Sequence, residues 1–86
     1  MANKVYAFNH LTGGTNDSYL DYHDGADLVN GDMAFGIVNG NFYAYSLVDE
    51  AYMSENSPNI IVPDVGDNGK CWVLAQEYVI YESQGI

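Results

Sequence analysis

Two runs of β-forming residues, DMAFGIV from Asp32 to Val38 and NFYAYSLV from Asn41 to Val48, flank the pair Asn39-Gly40. Asn-Gly is the preferred two-residue connection of a β-hairpin, because a type I′ turn needs positive φ at both central positions. Counted outward from that turn, Val38 faces Asn41, Ile37 faces Phe42, Gly36 faces Tyr43, Phe35 faces Ala44, Ala34 faces Tyr45 and Met33 faces Ser46. Strand side chains alternate between faces, so the hairpin has two unlike sides. Met33, Phe35, Ile37 and Phe42 share one side, and their bulk predicts that it is the core. Ala34, Gly36, Tyr43 and Tyr45 share the other, with small residues under two tyrosines. This second side is expected to face solvent or another subunit, an aromatic ring over glycine supporting a strand position that is otherwise weak.

Around the hairpin the pattern is less regular. Val5 to Leu11 reads as a first strand. The stretch from Thr12 to Asp32 is rich in Gly and Asp, with turn pairs at Gly13-Gly14 and Asp24-Gly25, and Tyr19, Leu20, Tyr22 and Leu28 are placed to dock it on the core through a short helical turn. Asp49 to Ser57 is polar and reads as a loop or helical turn. Ile60, Ile61 and Val62 form a short run stopped by Pro63, the signature of an edge strand. Val65 to Gly69 is a turn, and Cys71 to Tyr81 is dense in β-formers, with Trp72, Leu74, Tyr78 and Ile80 expected to point inward. Trp72 is expected against Phe35, Ile37 and Phe42. The prediction is one mainly β domain over residues 1–86, a small antiparallel sheet or sandwich around the central hairpin with long turn-rich loops, and loosely held ends at 1–4 and 83–86.

Composition narrows the function. With 86 residues, 48% of them hydrophobic, the chain is too apolar for disorder and long enough for one modest core. Twelve carboxylates face only Lys4 and Lys70, and the formal charge is −10. Such a chain is repelled by phosphate backbones and anionic lipid, which argues against binding nucleic acid or a membrane surface. The carboxylates are spread from Asp17 to Glu82 without a solid run, the distribution of a solubility coat; the sharper alternative is an acidic face that meets a basic partner by mimicking nucleic acid. No stretch approaches the ~20 apolar residues of a membrane span. The N-terminal residues lack the charged and apolar regions of a signal peptide, and the lone Cys71 permits neither an intrachain disulfide nor a cysteine zinc cluster. Synthesis and assembly in a cytoplasm is the expectation.

No catalytic constellation stands out. His10 and His23 lie in turn-rich segments where plain surface roles are commonest, the second flanked by Asp21 and Asp24. A calcium loop fails on spacing, since the position five residues before Gly25 is Leu20; a looser site among Asp17, Asp21, Asp24, Asp27 and Asp32 is the remaining metal reading. The serines show no nucleophile-elbow spacing, and Cys71 beside Trp72 reads as a small buried residue. The expectation is therefore a protein that is not an enzyme, with no cofactor and no metal.

The segment Ser57 to Leu74, SPNIIVPDVGDNGKCWVL, resembles a recurring ending of small modules in phage and prophage virion proteins, tail fibres above all. The matching residues are Ser57-Pro58, Ile61, Pro63-Asp64, Gly69-Lys70, Trp72 and Leu74; Cys71 departs from the pattern by separating the basic residue from Trp72. Upstream, DGADLVNGDMAFGIVNGNFYAYSLVDE resembles the hairpin of the same modules, so the likeness covers Asp24 to Leu74. The resemblance implies a virion structural protein, a tail-fibre-type module or a head or tail accessory subunit. Its implied partners are other virion proteins and copies of itself (a trimer if fibre-like), with a host-surface glycan as a further contact through Tyr43, Tyr45 or Trp72. In that frame Pro63-Asp64 sets the turn before the Trp72 strand, and the two together close the domain, with Trp72 packed over the hairpin.

Overall fold

The computed structural model describes residues 3–66 and 68–79, the last two by their backbone alone. Among them five strands form one mixed sheet: β1 (Val5–Phe8), β2 (Met33–Val38), β3 (Asn41–Val48), β4 (Ile60–Ile61) and β5 (Cys71–Val79), in the order β1-β2-β3-β5-β4. The chain is mainly β. β1 runs parallel to β2, and the remaining pairs are antiparallel. The β2–β3 ladder runs from Met33 opposite Ser46 to Val38 opposite Asn41, and Asn39 (φ 52°) and Gly40 (φ 81°) join the strands. A bulge between Ala44 and Tyr45 shifts the β3–β5 register, so Tyr45 faces Leu74 and Tyr43 faces Glu77.

The faces of the hairpin are the reverse of those expected from side-chain bulk. Ala34, Tyr43 and Tyr45 are buried, and Gly36 is half-buried beside them. Phe35 is 37% exposed and Ile37 55% exposed, with Met33 and Phe42 half-buried. The core is a cluster of Phe8, Leu20, Leu28, Ala34, Tyr43, Tyr45, Leu47, Ile61 and Trp72, flanked by Tyr6, Leu11, Val38 and Leu74. Trp72 is in the core as expected, but its ring neighbour is Tyr6 and not the Phe35, Ile37 and Phe42 side of the hairpin.

The parallel β1–β2 pair explains the reversal. Two adjacent parallel strands require a connection that crosses one face of the sheet, here residues 9–32, which bring Leu20 and Leu28 into the core. The side chain of Met33 points to the outer face while its amide donates to Lys4 O at 3.0 Å, toward β1. For an L-residue this orientation puts β1 to the left of β2 when both strands point up and the viewer faces the inner side. A segment crossing that side from left to right is right-handed, the sense that nearly all such crossovers take. Handedness therefore selects the covered face, and the hairpin's small residues make room beneath the crossover. At Gly36 a Cβ would collide with the carbonyl oxygen and ring of Phe8, so only glycine lets β1 lie this close.

The first strand ends at Phe8; beyond it His10 makes a single parallel bridge to Tyr19. The expected helical turn is two 3-10 turns, Leu20–Tyr22 and Gly25–Asp27. Asn3 and Lys4, expected to be loose, are tied to the buried Asp32: Lys4 N donates to Oδ1 at 2.9 Å and Asn3 Nδ2 at 3.2 Å. The expectations for residues 1–2, the Tyr78 side chain, Ile80, Tyr81 and 83–86 lie outside the described residues.

Candidate functional site

The acidic loops are organised by two buried carboxylates that accept backbone amides. Asp21 takes Gly13 N at 3.1 Å and Gly14 N at 3.0 Å, folding the Gly-Gly turn back onto the 3-10 turn. Burial pushes its carboxyl up and Asp64 adds to this, while the two amides pull the other way. Asp32 accepts Lys4 N, Val29 N and Asn3 Nδ2. Burial alone would raise its carboxyl, but these three donors outweigh it and hold the group below the usual range. Both side chains are engaged within the fold, Asp21 by the nearby Gly-Gly turn and Asp32 by Val29 and by Asn3 and Lys4 at the start of the chain. Among the described residues no group of three or more His, Cys, Asp or Glu is arranged to hold a metal ion, so Asp17, Asp21, Asp24, Asp27 and Asp32 form no such group.

His23 is half-buried against Tyr6, with ring centroids 4.6 Å apart, and Tyr6 meets the Trp72 ring edge-on at 5.8 Å. The Nε2 of His23 and the Nε1 of Trp72 are buried without a hydrogen-bond partner among the described residues. Burial lowers the His23 pKa, partly opposed by Asp17. His10 lies outside this cluster, stacked on Tyr19 at 4.2 Å. Tyr45 OH donates to Pro58 O at 2.6 Å, and burial holds its hydroxyl far above the ordinary tyrosine value.

The segment from Ser57 to Leu74 closes the domain. Ile61 pairs with Trp72 across β4 and β5, both fully buried, and Pro63 is buried beside them. The exposed Asp64 donates its amide to Asp21 O at 3.0 Å. Gly69, at φ 88°, accepts Ala51 N and Tyr52 N on its carbonyl, and a Cβ there would meet the Tyr52 ring at 2.7 Å. Lys70 Nζ donates to Gly25 O and Leu28 O, each at 2.7 Å, pinning the crossover to the start of β5. Cys71 is buried, its Sγ near Met53 O and Gly69 O, in a packing role. Sequence reasoning missed Lys70 as a fastener, because its partners are carbonyls more than forty positions away.

Ala34, Gly36, Tyr43 and Tyr45, expected at an interface, are covered by the chain's own crossover. Tyr43, Tyr45 and Trp72 are 7%, 0% and 0% exposed as whole residues, so none presents a ring face for a sugar to stack on. The candidate contact surface is the opposite side of the sheet. Val5 and Ala7 on β1, Met33, Phe35 and Ile37 on β2, Phe42 on β3 and Val73 on β5 share it by register. Phe35 and Phe42 stack across the strands with centroids 6.2 Å apart and planes 18° apart. Val5 is 69% exposed. The alternation of Val5 and Ala7 with Tyr6 and Phe8 was the available signal for a two-faced first strand, but its parallel pairing was not.

Comparison with known proteins finds no matching family model, no matching curated protein and no matching solved structure.

Proposed function

We propose that this chain is a structural subunit of a phage or prophage virion, working by protein–protein contact rather than catalysis. The observation that carries the assembly role is the outer sheet face, where Val5, Phe35 and Ile37 are exposed and the described outward strand positions bear no carboxylate. Large exposed apolar patches on small acidic domains mark contact sites, since isolated monomers rarely keep them. The virion assignment rests on the resemblance of Asp24 to Leu74. Support for it in the fold is this: Pro63 is buried and the Trp72 strand packs into the core, the parts the resemblance gives to the Pro63-Asp64 turn and that strand.

The chain's place within the particle, tail-fibre-type module or accessory subunit on a larger scaffold, follows from its partners. Mass spectrometry of purified particles from an induced host tests the reading. The chain is expected in the particle fraction at a fixed ratio to the major structural proteins, and its absence from particles would count against the proposal. The alternative, an acidic inhibitor filling a basic groove, is motivated by twelve carboxylates against two lysines. Capture of a nucleic-acid enzyme that fails as salt rises from low to physiological strength would favour that reading instead.

A further inference from the structure

We infer that the outer face of the sheet is a self-association surface, and that its occupant is the same face of a second copy of this chain. The inference deepens the assembly role and rests on it only for the premise that the chain acts by protein contact. The outward strand positions that one chain leaves exposed or half-exposed, among them Val5, Met33, Phe35, Ile37, Phe42 and Val73, carry no charge, while Ala44 and Cys71 at the same registers are already buried within the chain. Glu77, the carboxylate of β5, faces Tyr43 and so lies at an inward register.

The charge distribution selects the partner. Two chains of formal charge −10 repel wherever their loops approach. Copies can meet closely only through an uncharged surface, and the described strands provide one. A basic partner would be drawn to the acidic loops and would gain nothing from a neutral face. A neutral apolar face is complementary to itself, as a two-fold isologous contact requires.

The size of the face suits a weak dimer. With strands about 4.8 Å apart and about 3.3 Å per residue, the sheet measures roughly 450 Å² per copy, so a pair hides about 900 Å², the scale of a weak, concentration-dependent contact. Two such sheets pack about 10 Å apart as a sandwich across the two-fold axis. The stacked Phe35 and Phe42 rings are already ordered by each other, which lowers the entropy lost when they are covered.

The test is the mass of the purified full chain by light scattering at physiological salt over a range of concentrations. The expected mass is twice that of the chain. Ile37→Glu places a carboxylate on the face at a residue already 55% exposed, and should weaken association by about tenfold or more. Trp72 emission and the unfolding midpoint of the dilute protein, which report on the opposite side, should remain near wild type. Val5→Asp, on β1 and 69% exposed, is a second variant with the same expectation should Ile37→Glu fail to fold. A wild-type chain that stays monomeric at high concentration, or variants that pair as the wild type does, overturn the inference. A trimeric mass overturns it as well, because a face-to-face contact closes at two. A monomer that is nonetheless found in particles would refute this contact and leave the virion reading intact.

Discussion

Gly36 and Trp72 show how one side chain, or its absence, decides the inner face. A Cβ at Gly36 meets the Phe8 backbone, which cannot swing aside as a side chain could. Gly36→Ala is therefore expected to cost about 1–3 kcal/mol by chemical denaturation, with the loss traced to β1. Trp72 is fully buried among residues of four strands and the crossover. Trp72→Ala should cost about 3–5 kcal/mol, and the wild-type indole, the chain's single tryptophan, should emit blue-shifted and resist acrylamide. His23 makes stability depend on pH. Its folded pKa is depressed by burial below the ordinary 6.5. Its contribution is thus fully present above that value and is lost as pH falls toward the folded pKa. Asp21, whose carboxyl is raised, acts in the opposite sense at lower pH, so the readout is a difference. Urea midpoints at pH 7.5 and 5.5 should fall less in His23→Leu than in the wild type.

At the level of elements, β2 and β3 form a hairpin whose register follows from local chemistry and whose orientation does not. Both faces are apolar enough to be buried, so the hairpin alone has no preferred inside. The contrast between them is measurable. Tyr45→Ala removes a fully buried ring and its bond to Pro58, and is expected to cost about 3–5 kcal/mol. Ile37→Thr, on the exposed side, should change the stability of the dilute chain by less than about 1 kcal/mol. Equal losses at the two sites would mean that both faces are covered within one chain. The short β4 forms one edge of the sheet, and Pro63 stops it two residues after its end. The strand interrupted by proline was readable as an edge because proline cannot donate to a ladder.

For the molecule as a whole, the balance of charge sets a general condition on stability. Of the two lysines, Lys70 is engaged with backbone carbonyls, and twelve carboxylates stand against the pair of them. Folding brings like charges together, and added salt screens them. The unfolding midpoint should therefore rise as sodium chloride goes from about 10 mM to about 150 mM, where the Debye length shrinks from roughly 30 Å to 8 Å. A midpoint that fell or stayed level over that range would show that attractive pairs dominate instead.

The sequence by itself determined the strands around Asn39-Gly40, their pairing partner by partner, the edge run before Pro63, the β5 segment and the burial of Trp72. Each of these depends on interactions between near neighbours or on the bulk of one side chain. Only the tertiary structure decided which side of the hairpin is inside. That choice belongs to the parallel pairing of β1 with β2, to the handedness of the crossover that pairing demands, and to the fit of Phe8 over Gly36. It rests on contacts between segments far apart in the chain, for which an alternating pattern with two apolar phases carries no preference. The same choice moved the candidate contact surface from Ala34, Gly36, Tyr43 and Tyr45 to the uncharged side that bears Phe35 and Ile37.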